Sequence, residues 1–154
     1  MNSVNGCPML NKLGFHYLPD YLHYQEKDLA VWLPELQNFQ ASWLVLKTSS
    51  NVAIPESFIS ALLAENIQPI LDFDLRIDED LRPVDLRLFL EAYNKWGVKY
   101  INFFRAPNMR SSWIDGAWAL GDVVSRFLER WIPFMRMAEQ SHLIPLFPAL
   151  EPGG

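Results

Sequence analysis

Asp72 and Asp74 lie two residues apart in an apolar run, the pair in this chain best spaced for acid–base or ligand chemistry. In an extended strand that spacing puts both side chains on one face. Crowded carboxylates raise one another's pKa, and such a pair can hold a metal or a sugar hydroxyl, or serve as a substitute acid and base. The plainer alternative is pairing with Arg76, Lys47 or Arg105 on neighbouring strand ends, because ion-pair networks perturb carboxylates without catalysis. Arg105 offers a planar fork suited to an anionic ligand such as a uronic acid or a phosphate. Equally, it can neutralise Asp72, Asp74 or Glu151.

The candidate catalytic groups are therefore Asp72, Asp74 and Glu151, and the candidate ligand contacts are His16, Lys47, Asp72, Asp74, Arg105, Asn108 and Trp113. His16 sits toward the end of the first short apolar run, Leu13–Leu18, with a histidine packed under a loop as its alternative. His23 and His142 are weaker candidates. Trp113 and Trp118, with Tyr17, Tyr21 and Tyr24, fall in or near loops, where flat rings either stack on sugars or plug the loop onto the core. Trp32, Trp43, Trp96 and Trp131 read as core or layer contacts. Without a His or Cys cluster at ligand spacing, no metal is expected, and no cofactor is implied.

The elements that must position these groups alternate in type. Leu13–Leu18, Ser42–Lys47, Gln68–Asp74, Lys99–Phe104 and His142–Pro148 are short apolar runs that read as five strands, near-continuous as if covered on both faces. Pro34 suits the first turn of a helix holding Leu36 and Phe39, with a looser turn from Lys27 to Leu33 before it. Pro55 opens a second helix, with Phe58, Leu62 and Leu63 as its stripe. Leu86, Phe89, Leu90 and Tyr93 line a third, ended by Gly97 as a left-handed cap. The fourth spans Asp122–Gln140 with Val123, Phe127, Trp131 and Phe134 inward, and Pro133 should kink or split it.

Strands recurring at roughly 25 to 45 residues fit βαβ units and a parallel sheet. The expected fold is α/β, a partial (β/α)8 barrel of five strands over residues 13–154, with residues 1–12 as an N-terminal extension. The alternative is a flavodoxin-like doubly wound sheet. That fold predicts a phosphate-cradling glycine loop after strand one, where the sequence instead has His16-Tyr17-Leu18-Pro19-Asp20. A complete barrel needs about 250 residues, so the barrel as written is incomplete.

Half of the residues are apolar and 14% aromatic, which excludes a disordered chain. A net charge of −5 gives no electrostatic basis for gripping a nucleic-acid backbone. One cysteine, Cys7, allows neither an internal disulfide nor a multi-thiolate site. No apolar run approaches a membrane span, and the first residues lack a signal peptide's pattern, so a soluble, cytoplasmic protein is the default expectation.

The stretch Gly97 to Asn108 resembles the fourth-strand motif of (β/α)8 glycoside hydrolases of the retaining, cellulase-like clan. There an Asn-Glu-Pro, often followed by Asn, carries the acid/base; here Pro107 and Asn108 match, while Arg105 and Ala106 replace the Asn and Glu. The Gly14-Phe15-His16 opening, Trp43–Lys47, Pro69–Asp72, the Ala106–Trp113 loop and Phe147–Gly154 also look like that group, in order and at successive strand ends. The resemblance implies a sugar-binding rim that includes His16. It places the acid/base at Ala106, which cannot transfer a proton, and the nucleophile after a seventh strand that would lie beyond Gly154. The expectation is a glycoside-hydrolase-like barrel that binds carbohydrate and is catalytically degenerate. The alternative is a structural module that self-associates or docks a complementary barrel fragment, because an open sheet leaves two edges to cover.

Overall fold

A computed structural model describes residues 13–18, 20, 22–114 and 116–152. The expected extension over residues 1–12, with Cys7, lies outside the described residues, as do Pro19, Tyr21 and the Gly153-Gly154 end.

The chain runs β1 (Gly14–His16), α1 (Glu26–Asn38), β2 (Trp43–Thr48), α2 (Glu56–Ala64), β3 (Gln68–Leu75), α3 (Arg87–Lys95), β4 (Tyr100–Phe104), α4 (Val123–Gln140) and β5 (Ile144–Pro145). Single 3₁₀ turns precede α3 at Pro83–Leu86 and follow β4 at Arg110–Ser112 and Ala117–Leu120. All five strands form one parallel sheet in the order β1-β2-β3-β4-β5. A doubly wound sheet reverses direction after its first unit and has the order 2-1-3-4-5. This sheet winds one way only, so the flavodoxin-like alternative is set aside. The arrangement is that of consecutive units of a (β/α)8 barrel.

Crossovers of one hand between strands taken in sequence order carry every helix to the same face. Leu36 of α1, Phe58 and Leu62 of α2, Leu90 and Tyr93 of α3, and Phe127 and Phe134 of α4 share one buried cluster with Leu44, Leu46, Leu71, Phe73, Ile101 and Phe103. Each such side chain contributes roughly 1.5–3 kcal/mol on burial. Phe134 sits 5.2 Å from the rings of both Phe103 and Phe104, which adds directional packing between α4 and β4. Residues of β2 and β3 alternate between this buried face and a half-buried one. The strands are thus not covered by helices on both faces, as their apolar composition suggested, and the second face is free to carry polar groups.

All four α-helices end in the same way. The residue after each C-cap has positive φ: Gln40 at 52°, Asn66 at 59°, Gly97 at 92° and His142 at 60°. The next N–H reaches back to the third residue before the cap, Ala41 to Leu36, Ile67 to Leu62, Val98 to Tyr93 and Leu143 to Ala138, at 2.9–3.0 Å. This is the Schellman closure, with the apolar contact between those same residues, all eight of which are buried. It sets the angle at which each helix hands the chain to the next strand.

Pro34 departs from the expectation of a helix start, and Pro133 does not split its helix in two. Pro34 lies inside α1 and Pro133 inside α4, each helix continuing through it. A proline removes the donor for the carbonyl four residues earlier. Those residues are Ala30 and Glu129, both exposed, so water can take the freed carbonyls while the helices bury their opposite faces. Strand five is shorter than expected, two residues rather than seven. No helix among the described residues is long and apolar enough to cross a membrane.

Candidate functional site

The half-buried face of the sheet opens into a cleft of about 640 Å³ at the carboxyl ends of the strands. Parallel pairing aligns Lys47 of β2 with Asp72 of β3, and Asp72 with Asn102 of β4, so three polar side chains form one row across the sheet. His16, at the end of β1, and Arg105 and Glu151, from the loops after β4 and β5, add further polar groups to the lining, and Ala106 contributes an apolar part. Of the expected ligand contacts, the fold brings His16, Lys47, Asp72 and Arg105 to this one cleft, together with Glu151.

Asp72 is the one acid of that row of three. Burial pushes its carboxyl above the ordinary carboxylate range, opposed by the hydrogen bond from Asn102 and reinforced by the charge of Asp74; Arg105 and His16 pull it back more weakly. Asn102 Nδ2 donates to Asp72 Oδ1 at 2.7 Å. The other amide atom, Asn102 Oδ1, is buried and has no hydrogen-bond partner. Asp74 is exposed and pairs with Lys47 at 2.6 Å, so the two expected carboxylates have separate partners. Arg105 Nη2 stands 3.8 Å from Glu151 Oε1, an ion pair too long for a hydrogen bond.

Trp43 lines the cleft, a role that its place in an apolar strand did not suggest. Its indole lies over Gly14, the residue it faces across β1 and β2. A Cβ at position 14 would come within 1.9 Å of the ring, so only glycine leaves room for this tryptophan. Asn102 is the second contact that sequence reasoning missed. Its signal was available: it is the sole polar residue inside the apolar run Tyr100–Phe104.

Ala106, at the position of the resembled acid/base, is buried and has φ of 40°. Its carbonyl accepts from Ser112 Oγ at 2.9 Å and Met109 N at 2.8 Å, so the loop folds around it. Asn108 does not open on the cleft. Its side chain donates to the Glu151 carbonyl at 2.6 Å and accepts from the Glu151 N–H at 3.1 Å, clipping the β4 and β5 loops together.

Trp113 is buried beneath its loop, its indole N–H donating to the Pro107 carbonyl at 2.9 Å. Arg126 of α4 stacks over it at 4.9 Å, and Trp118 meets it edge-on. The rings of Tyr17 and Tyr24 stack on each other, and Tyr24 packs against Phe58; their hydroxyls donate to the carbonyls of His23 and Lys47. These aromatics hold loops down. Burial, with nearby Asp28 and Asp20, pushes the Tyr17 phenol up to about 12. His23 pairs with Asp20 at 2.7 Å, and His142 is the left-handed residue just after the α4 cap; neither lines the cleft.

The described residues contain no group of three His, Cys, Asp or Glu side chains able to hold a metal ion. Chemically, the row and its rim can donate and accept hydrogen bonds to a polar ligand in a cleft that Trp43 also lines. Comparison with protein families and with curated proteins finds no match to this sequence.

Proposed function

We propose that this chain is a carbohydrate-binding protein of glycoside-hydrolase-like architecture that holds a sugar in its strand-end cleft without cleaving it. The observation carrying the proposal is the Asp72–Asn102 pair in a cleft of about 640 Å³ that His16, Trp43, Lys47 and Arg105 also line. An aromatic face accepts the apolar C–H side of a sugar ring, while a carboxylate and an amide take its hydroxyls. Cleavage with retention needs two carboxyl groups about 5–5.5 Å apart, one of them an acid/base. In the resembled motif that group is the residue here replaced by Ala106, which supports binding without hydrolysis. Titration calorimetry with cello-, xylo- and manno-oligosaccharides tests this. Saturable binding is expected, weakened at least about tenfold in Asp72→Ala and Asn102→Ala, a loss in line with removing hydrogen bonds from a bound ligand. Absence of binding, or binding unchanged in both variants, rejects the proposal.

A second reading, an assembly module, is favoured by the apolar residues flanking the two sheet edges. Phe39 is 58% exposed beside β1, and Ile144 and Phe147 are 51% and 56% exposed at β5. Light scattering over a concentration series separates the readings. A discrete dimer that Ile144→Lys converts to monomer supports assembly, and a monomer at every concentration removes it.

A further inference from the structure

The charges around the cleft are unequally satisfied. Lys47 is held by Asp74 at 2.6 Å, and its side chain is only 21% exposed. Asp72 is answered by Asn102. Arg105 differs: its side chain is 66% exposed, it lines the cleft, and its carboxylate neighbour Glu151 stays 3.8 Å away. A guanidinium cannot shed its charge, and it binds best through two parallel hydrogen bonds, which a contact of that length does not supply.

The way Glu151 is anchored matters as much. Asn108 grips its backbone N–H and C=O and leaves the carboxylate out of the clip. The side chain, 47% exposed, can therefore swing off Arg105 while the loop keeps its place. Glu151 is a tethered, replaceable counter-ion.

We infer that the cleft's preferred ligand is a sugar bearing an oxyanion, a carboxylate or a phosphate ester, which takes Arg105 in exchange for Glu151. The inference rests on the carbohydrate reading of the cleft and narrows it to a charged class. The planar fork favours a carboxylate, though either oxyanion can engage two of its N–H groups. Glu151 then acts as an internal competitor that sets the threshold for binding.

Calorimetric titration of the full chain with glucuronate, glucose 6-phosphate and glucose tests this, in the wild type and in Arg105→Gln and Glu151→Gln. Both positions are exposed, and thermal unfolding followed by circular dichroism verifies that each variant is folded. One or both anionic sugars should bind roughly tenfold tighter than glucose, as expected for a charge-assisted over a neutral hydrogen bond. Glu151→Gln should tighten them a further several-fold, and Arg105→Gln should bring them down to the glucose level. A stronger response to glucuronate identifies the carboxylate as the source, and one to glucose 6-phosphate the phosphate. Equal binding of all three sugars, or an anion preference that survives Arg105→Gln, overturns the inference and leaves the carbohydrate reading intact. No binding of any sugar to the wild type or to Glu151→Gln overturns both.

Discussion

The Asn102 amide donates to Asp72 Oδ1 across 2.7 Å, from the adjacent strand and at the same register. The bond keeps a carboxyl on a half-buried sheet face where burial disfavours its ionised form. Because the folded chain holds the Asp72 proton more tightly than the unfolded chain does, the stabilisation from Asp72 is fully present below the ordinary carboxylate pKa. It is lost as pH rises through the raised folded value. Asp72→Asn should therefore gain stability relative to wild type from acid toward neutral pH, since Asn102 can still donate to the new amide. Urea unfolding of both proteins at a series of pH values measures the difference. A gap that does not change with pH contradicts the assignment.

Gly14 and Trp43 form the second testable contact. Gly14→Ala puts a methyl group where the indole now lies, forcing the ring to move. A loss of about 1–3 kcal/mol is expected, the usual range for an overpacked site. Tryptophan fluorescence should shift along with it. Unchanged stability and emission mean that the ring does not rest on β1.

Helix exits give a matched pair of substitutions. His142 holds a left-handed conformation at φ 60° that glycine adopts freely, and Gly97 already uses glycine at φ 92°. The conformation costs an L-residue roughly 1–2 kcal/mol, against roughly 0.5–1 kcal/mol of extra chain entropy lost by glycine. His142→Gly should stabilise by about 0.5–1 kcal/mol on that difference. Gly97→Ala should destabilise, the more so because its Cβ would meet Leu63 Cδ1 at 3.0 Å. Chemical denaturation of the two variants checks both signs.

Tyr93 is buried, and its hydroxyl bonds Thr48 Oγ1 and accepts from the Ile54 N–H, both at 2.9 Å. Tyr93→Phe strands both groups inside the fold. A cost of about 1–3 kcal/mol is expected, read from the urea midpoint. Thr48→Val in the Tyr93→Phe background should cost less than in the wild type, because the shared bond is already gone.

Much of this architecture was legible in the sequence because it rests on local patterns. The apolar runs located all five strands, and Gly97 announced the end of α3. Pro34 misled as a helix start, and Pro133 leaves α4 unsplit, because a helix interrupted on its solvent side survives when the opposite face is well buried, and exposure is not written locally. Gln40 and His142 gave no glycine-like signal for the same turn that Gly97 makes, and the weaker signal of Asn66 was not read. At the cleft, the clustering of His16, Lys47, Asp72 and Arg105 followed from their places at strand ends. Trp43 and Asn102 were missed since which residues of a strand face the open side depends on a sheet covered by helices on one side only. Asn108 was singled out by its match to the resembled motif and Trp113 by residue type, yet their bonds to Glu151 and Pro107 are set by loop geometry that no local pattern encodes.

The repeated helix exit has a bearing on the order of assembly. Each of its four hydrogen bonds closes a span of five residues, whereas every strand must find its neighbour across an intervening helix and its loops. Short closures cost little chain entropy and form early, while distant parallel pairings are slow. The four corners can therefore be bent before the sheet exists, each presenting the start of a strand at a preset angle, so that sheet formation becomes the docking of pre-folded hooks.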